Sequence, residues 1–288
     1  MEDAYFTATG SFDVLKNSSS VRRISSVLWC GKHIEDLASV VLPPGKFYVR
    51  VRDFGGCHGT SEERVIGDLL RGRGRIDFRS PDFIVRAYHT DIWYICIEKW
   101  NNPQQTSVER RAPLRPFFSP ISLSPRTARL MVNLSATREG DLILDPFCGT
   151  GGILIEAALM GRRIIGNDFS LAMTSGTKLN LKYYGVRNFE VFTSDILSLE
   201  TGKKVDAVVS DFPYGKNSPV SDRDLKMFYA RSLSRISDFL KDRGRLVMMI
   251  NDPSLLALPE CLRILNELSF RVHRSLTRHI IIMEKGCV

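Results

Sequence analysis

Asp141-Leu142-Ile143-Leu144-Asp145-Pro146-Phe147-Cys148-Gly149-Thr150-Gly151-Gly152 decides how the chain is read. Asp141–Asp145 has the apolar density of a short buried strand, and it closes on an acid. The glycines that follow permit a tight turn, and Ile153–Met160 is a helix candidate. A strand, a glycine-rich turn and a helix in that order make the first unit of an open α/β sheet. Ligands of such sheets bind beyond the carboxyl ends of the strands.

The same alternation continues downstream. Arg163–Asn167 reads as a strand ending at Asp168, Leu171–Tyr183 as a helix and Phe189–Phe192 as a strand. Val205–Ser210 is a strand ending at Asp211, Leu225–Leu240 a helix and Arg245–Ile250 a strand. Phe270–Ser275 and His279–Glu284 are predicted to form a hairpin around Leu276–Arg278. Strands alternating with helices predict a mostly parallel sheet covered on both faces, a Rossmann-like α/β domain.

Upstream the pattern changes. Lys46–Arg52 alternates like a strand, Glu62–Leu70 suits a helix, and Phe83–Tyr88 with Ile92–Glu98 suits a hairpin, so this half is small and α+β. The first 45 residues give no clear pattern, and Asn17–Ser20 reads as a loop. Asn101–Pro125 is rich in Pro, Arg, Ser and Asn. The boundaries expected are a domain over 1–102, a linker over 103–115 and a second domain over 116–288. No internal repeat is visible.

The 288 residues carry a net charge of +8, which favours an anionic partner such as nucleic acid. The sequence contains no apolar run of about 18 residues, so no membrane helix is expected. The first ten residues are acidic and polar, unlike a secretory signal, and a cytoplasmic location is expected. The six cysteines form no Cys-x-x-Cys pair, so neither a zinc site nor a disulfide framework is expected. Cys57-His58, and Cys30 with His33, carry metal-ligand side chains, but reduced thiols are the better reading. A monomer is the default.

Three acids narrow the cofactor. A glycine-rich turn also serves nicotinamide and flavin enzymes. Asp145 would repel a pyrophosphate there, but it can hold the amino group of a methionine-like ligand. Asp168 can accept both hydroxyls of a ribose. Asp195, after Thr193-Ser194, can accept from an adenine amine. Each alone is as well explained as a helix N-cap or a solvated loop residue. Together, after three successive strands, they suit S-adenosylmethionine (SAM) better than NAD, with Gly149 and Gly151 supplying the turn.

Asp211-Phe212-Pro213-Tyr214 follows the fourth strand. The tetrapeptide resembles the (Asp/Asn)-Pro-Pro-(Tyr/Phe) motif of methyltransferases that act on exocyclic amines of adenine or guanine. The chemistry fits those residue types. The amine is a poor nucleophile because its lone pair is delocalised into the ring. A carboxylate and a backbone carbonyl, each accepting one N–H, localise that lone pair, and an aromatic ring holds the base. Phe212 stands where the motif usually has its first proline; the carbonyl survives that change, while the stiffness of proline is reduced.

Further segments carry the resemblance. Arg115-Pro116-Phe117-Phe118-Ser119-Pro120-Ile121-Ser122-Leu123-Ser124-Pro125-Arg126, Asn133-Leu134 and His273-Arg274-Ser275-Leu276-Thr277-Arg278 are similar to the archaeal THUMP-containing tRNA guanosine-N2 methyltransferases, whose target is guanosine 10. The likeness runs from about Arg115 to Glu284. It implies SAM as cofactor, with Phe118, Phe147, Thr150, Phe169 and Ile196 joining Asp145, Gly149, Gly151, Asp168 and Asp195 around it. It implies tRNA as partner, Asp211, Phe212, Pro213 and Tyr214 as the catalytic group, and no metal.

Ile76–Arg86 and Asp91–Glu98 resemble the second half of a THUMP domain, which binds the single-stranded 3′ end of tRNA. Lys46–Arg52 would be its first clear strand. Arg71, Arg73 and Arg75, spaced by glycines, and Arg110, Arg111 and Arg115 are candidate phosphate contacts, to be weighed against solvated basic loops. Trp93, Tyr94 and Trp100 suit hairpin packing better than base stacking. The alternatives left open are an adenine-N6 methyltransferase, a catalytically silent tRNA-binding protein and, more distantly, an NAD-dependent oxidoreductase.

Overall fold

The computed structural model describes residues 23–53, 60–101, 109–120, 122–214, 222–274 and 276–286, with the single residues 15, 18 and 21. Cys57-His58, most of the loop expected at Asn17–Ser20, Ile121 and Ser275 lie outside the described residues. The chain divides into two compact units.

The first unit is a five-stranded sheet of order β1-β5-β4-β2-β3, formed by β1 (Arg23–Gly31), β2 (Lys46–Asp53), β3 (Arg75–Ile76), β4 (Phe83–His89) and β5 (Trp93–Asn101). Helix α1 (Thr60–Leu69) connects β2 to the strands beyond it, and β2 pairs with β4 in parallel, Phe47 opposite Phe83. β4 and β5 form the expected antiparallel hairpin. Leu37, Phe47, Ile66, Leu70, Val85 and Ile95 are fully buried in its core. Strand β1 fell in the stretch with no clear pattern. Two register shifts, at Ile24/Ser25 and Val27/Trp29, break its alternation against β5.

The second unit holds the expected mostly parallel seven-stranded sheet. Its strands are β6 (Leu142–Asp145), β7 (Arg163–Asp168), β8 (Glu190–Thr193), β9 (Val205–Asp211), β10 (Leu240–Ile250), β11 (Leu262–His273) and β12 (Leu276–Lys285). The order is β11-β12-β10-β9-β6-β7-β8. From β6 the chain first builds outward through β7 and β8, then returns to the other side with β9. The strand order therefore reverses between β6 and β9, and a crevice opens at their carboxyl ends. β12 runs antiparallel to both β10 and β11.

Period-two alternation sends successive side chains to opposite faces, and both faces are buried. Leu144, Val208, Met248 and Ile281 pack on one face with Tyr229, Leu233 and Ile236 of α5 (Asp222–Phe239). Ile143, Val209, Met249 and Ile280 pack on the other with Met131 of α2 (Pro125–Leu134) and Leu154 of α3 (Gly152–Leu159). Helix α4 (Leu171–Tyr183) starts from Ser170, whose hydroxyl accepts from Met173 N–H.

Two expectations are corrected. The C-terminal hairpin turns between His273 and Leu276, which pair with each other, and not around Leu276–Arg278, which already belong to β12. Its first strand begins at Leu262, eight residues before the expected Phe270. Within the second unit, Arg110 pairs with Glu156, which is buried and also held by Arg129.

Candidate active site

The carboxyl ends of β6, β7, β8 and β9 converge on one set of loops. Asp145 is 1% exposed. The Ser210 hydroxyl (2.5 Å) and Phe147 N–H (3.2 Å) both donate to its Oδ1. Burial dominates over those two bonds and pushes its carboxyl up to about 7. Gly149 N–H and Ser170 N–H donate to the two oxygens of Asp168, each at 3.0 Å. Burial raises Asp168 as well, against those bonds. Asp195 is exposed and caps the short turn Ile196–Ser198, its Oδ1 accepting from Leu197 N–H.

The turn itself needs glycine. Gly151 sits at φ +80, and a Cβ there would lie 2.9 Å from Thr177 Cγ2. Thr150 is buried, its hydroxyl 2.8 Å from that of Ser122, and Ile196 is buried too. Phe118 is exposed, while Phe169 is 82% exposed immediately after Asp168.

Several residues that hold these loops were not foreseen. Asn167 Nδ2 donates to Pro146 O (3.1 Å) and Ser194 O (3.0 Å), so one buried amide ties together the loops after β6 and β8. Thr177 donates to Gly149 O, and Asn180 Nδ2 donates to Thr150 O and Phe117 O. Thr174, Thr177 and Asn180 recur every third residue on α4 and are all fully buried. That polar stripe at helical spacing was the available signal.

At the end of β9, Asp211 Oδ2 accepts from Tyr214 Oη–H (3.1 Å) and lies 3.3 Å from Arg278 Nη1. Arg278 Nη2 donates to Tyr214 Oη at 2.6 Å, and its guanidinium sits 5.2 Å from that ring's centre. Asp211 Oδ1 is buried without a hydrogen-bond partner. One carboxylate oxygen is thus committed and the other is an open acceptor. Burial pushes Asp211 up to about 6, with the Arg278 charge and the Tyr214 hydroxyl opposing it. Arg278 joins the site because the hairpin turns before it; its expected place in a turn had hidden it.

Phe212 compensates for the missing proline in another way. Its ring is fully buried, 4.9 Å from that of Phe147 and 5.9 Å from that of Tyr229. Its N–H donates to Met249 O, and the Tyr229 hydroxyl holds Pro213 O at 2.9 Å. Phe212→Pro would remove both the aromatic volume and that donor. A loss of about 3–5 kcal/mol is expected in urea unfolding.

The basic candidates separate. Arg115 is buried, with Nε donating to Arg110 O, and Arg110 is committed to Glu156. Arg73 Nη1 donates to the carbonyls of Leu37 and Val40. These three make their polar contacts within the fold. Arg71, Arg75 and Arg111 are exposed, and Arg71 also pairs with Asp68.

Residues 113–280 match the family described as "RMKL-like, methyltransferase domain". The chain belongs to that methyltransferase family. A protein of Methanothermobacter thermautotrophicus named tRNA (guanine(10)-N2)-dimethyltransferase is 38% identical over 83% of this chain and 73% of its own length. A protein of the same name from Pyrococcus abyssi is 36% identical over 90% of this chain and 82% of its own length. The resemblance seen in the sequence is borne out by these relatives. Among solved structures, TrmN from Thermus thermophilus has a TM-score of 0.59 at 20% identity, over 99% of this chain and 88% of that one, a likeness of fold. SAM is the general methyl donor of this class. Among the described residues no helix is long and apolar enough to cross a membrane.

Proposed function

We propose that the chain transfers a methyl group from SAM to the exocyclic N2 amine of guanosine 10 in tRNA. The observation that carries this is the divided carboxylate of Asp211, with Oδ2 held by Arg278 and Tyr214 and Oδ1 buried and open. The named activity of the guanine-N2 relatives supports the choice of base.

The residues around the glycine turn fit the cofactor. Asp145 is a buried carboxylate that gains from a cationic ammonium partner. Each Asp168 oxygen accepts one backbone N–H and keeps a lone pair for a ribose hydroxyl. Asp195 has an oxygen left for the adenine amine, and exposed Phe169 offers a face to the ring. Phe118 and Phe147 border the methionine end, while Thr150 and Ile196 shape the loops from beneath. When bound, SAM supplies a methyl group on a positively charged sulfur, open to attack by nitrogen.

The chain's own residues then prepare the nitrogen. The guanine leaves the RNA stack to reach the crevice. Asp211 Oδ1 accepts one amine N–H and the Phe212 carbonyl accepts the other. Pro213 keeps the loop stiff, and Tyr214 offers the ring face opposite Arg278 to the base. As the nitrogen gains carbon it sheds a proton, and Asp211, at about 6, is placed to take it.

The expected domain over residues 1–102, to which the five-stranded sheet of the first unit belongs, binds the RNA as a THUMP-like domain. Exposed Arg71 and Arg75 are joined by Arg79 and by Phe78, 69% exposed with its ring 6.0 Å from that of Tyr48. Exposed cations and an exposed ring on one short segment suit single-stranded RNA. Arg71→Ala and Arg75→Ala are each expected to lower the slope of log affinity against log salt by about one. Filter binding across a salt series measures it.

The test of the substrate is labelled-methyl transfer to two unmodified tRNA transcripts, one with adenosine in place of guanosine 10. Transfer to the first alone is expected. Equal transfer to both would refute that position.

A further inference from the structure

Three polar atoms at the carboxyl end of the second unit's sheet are buried without a hydrogen-bond partner: Asp211 Oδ1, Asn251 Oδ1 and Arg278 Nε. The register brings them together. Asp211 lies opposite Met249 across β9 and β10, and Ile250 lies opposite His279 across β10 and β12. Asn251 and Arg278 are the next residues at that end of their strands. Alternation puts them on one face. Val209, Met249 and Ile280 share a single core cluster, and each is two residues from Asp211, Asn251 and Arg278 respectively. Arg278 Nη1 is 3.3 Å from Asp211 Oδ2 and 3.9 Å from Met249 Sδ, so its side chain follows that face.

A buried acceptor without a donor is costly, and at a binding site the ligand is the natural source of the donor. Guanine presents two adjacent donors on the edge that carries the reacting amine, N2–H and N1–H. Adenine presents its amine beside N1, which is an acceptor. Resting on the guanine-N2 reading above, we propose that Asn251 is the residue that reads the base. Its Oδ1 accepts N1–H while Asp211 Oδ1 accepts N2–H. An adenine in the same pose sets the N1 lone pair against Asn251 Oδ1 and leaves both unpaired. Discrimination then comes from the N1–H contact that guanine alone can make.

The test uses the full-length protein, SAM and tRNA transcripts carrying at the target position either guanine or 2,6-diaminopurine. The second base keeps the 2-amine but has an acceptor at N1. The wild type is expected to prefer guanine in kcat/KM by about 10- to 100-fold, the worth of one base-edge contact. Asn251→Ala is expected to lose that preference through a fall on guanine, with the diaminopurine rate kept. The retained rate shows that the variant is folded. An equal fall on both bases, or an unchanged preference, overturns the role of Asn251. Should Asn251→Ala not fold, the wild-type ratio still decides, because equal use of the two bases overturns the proposal. No transfer to either base by the wild type removes the parent reading itself. Transfer to guanine with no preference removes only the role of Asn251.

Discussion

Asp211→Ala is expected to lower kcat roughly 10²- to 10⁴-fold, the usual weight of a positioned acid–base group, with SAM affinity unchanged. The residue has two jobs in the proposed chemistry. Its open Oδ1 draws the amine's hydrogen and localises the nitrogen lone pair, and the same carboxylate takes the proton that methylation releases. Neither job concerns the cofactor loops, where Asp145, Asp168 and Asp195 lie. Single-turnover kinetics with saturating SAM and tRNA reads the effect, and equilibrium dialysis checks the affinity. The wild type should show a matching pH dependence. Asp211 is pushed up to about 6, so its reactive carboxylate form is lost below that pH. The single-turnover rate is expected to fall as pH drops below about 6 and to level off above it. A variant that kept the rate while losing tRNA binding would assign Asp211 to recognition instead.

Asp145→Asn is expected to separate stability from cofactor binding. The free protein holds this carboxyl at about 7 against an ordinary 3.8, because the group is buried. A raised acid binds its proton more tightly folded than unfolded. Its folded form is therefore unpenalised below about pH 4 and loses stability as pH rises toward 7. Above that the full penalty applies, on the order of 4 kcal/mol. The neutral, isosteric amide carries no such penalty. Asn at this position should raise Tm above pH 7 and leave it nearly unchanged near pH 4. SAM affinity should fall roughly 100-fold or more, the scale of losing one partner of a buried charge pair. In the wild type that affinity should weaken as pH drops below about 7, and in Asp145→Asn this dependence should be gone. Calorimetric unfolding and titration at pH 5, 7 and 8.5 measure both effects. A variant less stable at pH 8.5, with SAM binding intact, would contradict the role of the buried charge.

The parallel sheet was legible because burial on both faces leaves short apolar runs, and each of four runs closed on an acid or led to one. Those acids mark the crevice, so the loops that follow the four strands are legible as one cluster in the sequence. Strand β1 was not legible, because two register shifts and half-exposed residues such as Val27 and Leu28 hide its period. The C-terminal hairpin was misplaced for a related reason. Edge strand β11 carries exposed Ile264, Leu265, Phe270 and Val272, so its sequence does not separate an inner face from an outer one. That error cost the reading of Arg278, which a strand places beside Asp211 and a turn does not. Asn167 and Asn251 were missed because a single amide in a strand end has no pattern. Their roles exist only once neighbouring strands bring carbonyls or carboxylates within reach. Arg73, Arg110 and Arg115 have contacts the sequence does not show: arginine-rich sequence points to phosphate, and the fold gives these three partners among its own carbonyls and at Glu156.

The measurement that bears most directly on the proposed chemistry is mass spectrometry of the nucleosides released from an unmodified tRNA transcript after reaction with SAM carrying a trideuterated methyl group. The expected result is the heavy methyl on guanosine, eluting as N2-methylguanosine or its dimethyl form, and formed at least roughly a hundredfold more slowly with Asp211→Ala. Heavy methyl on adenosine, or none at all from a protein that binds the transcript, would contradict it.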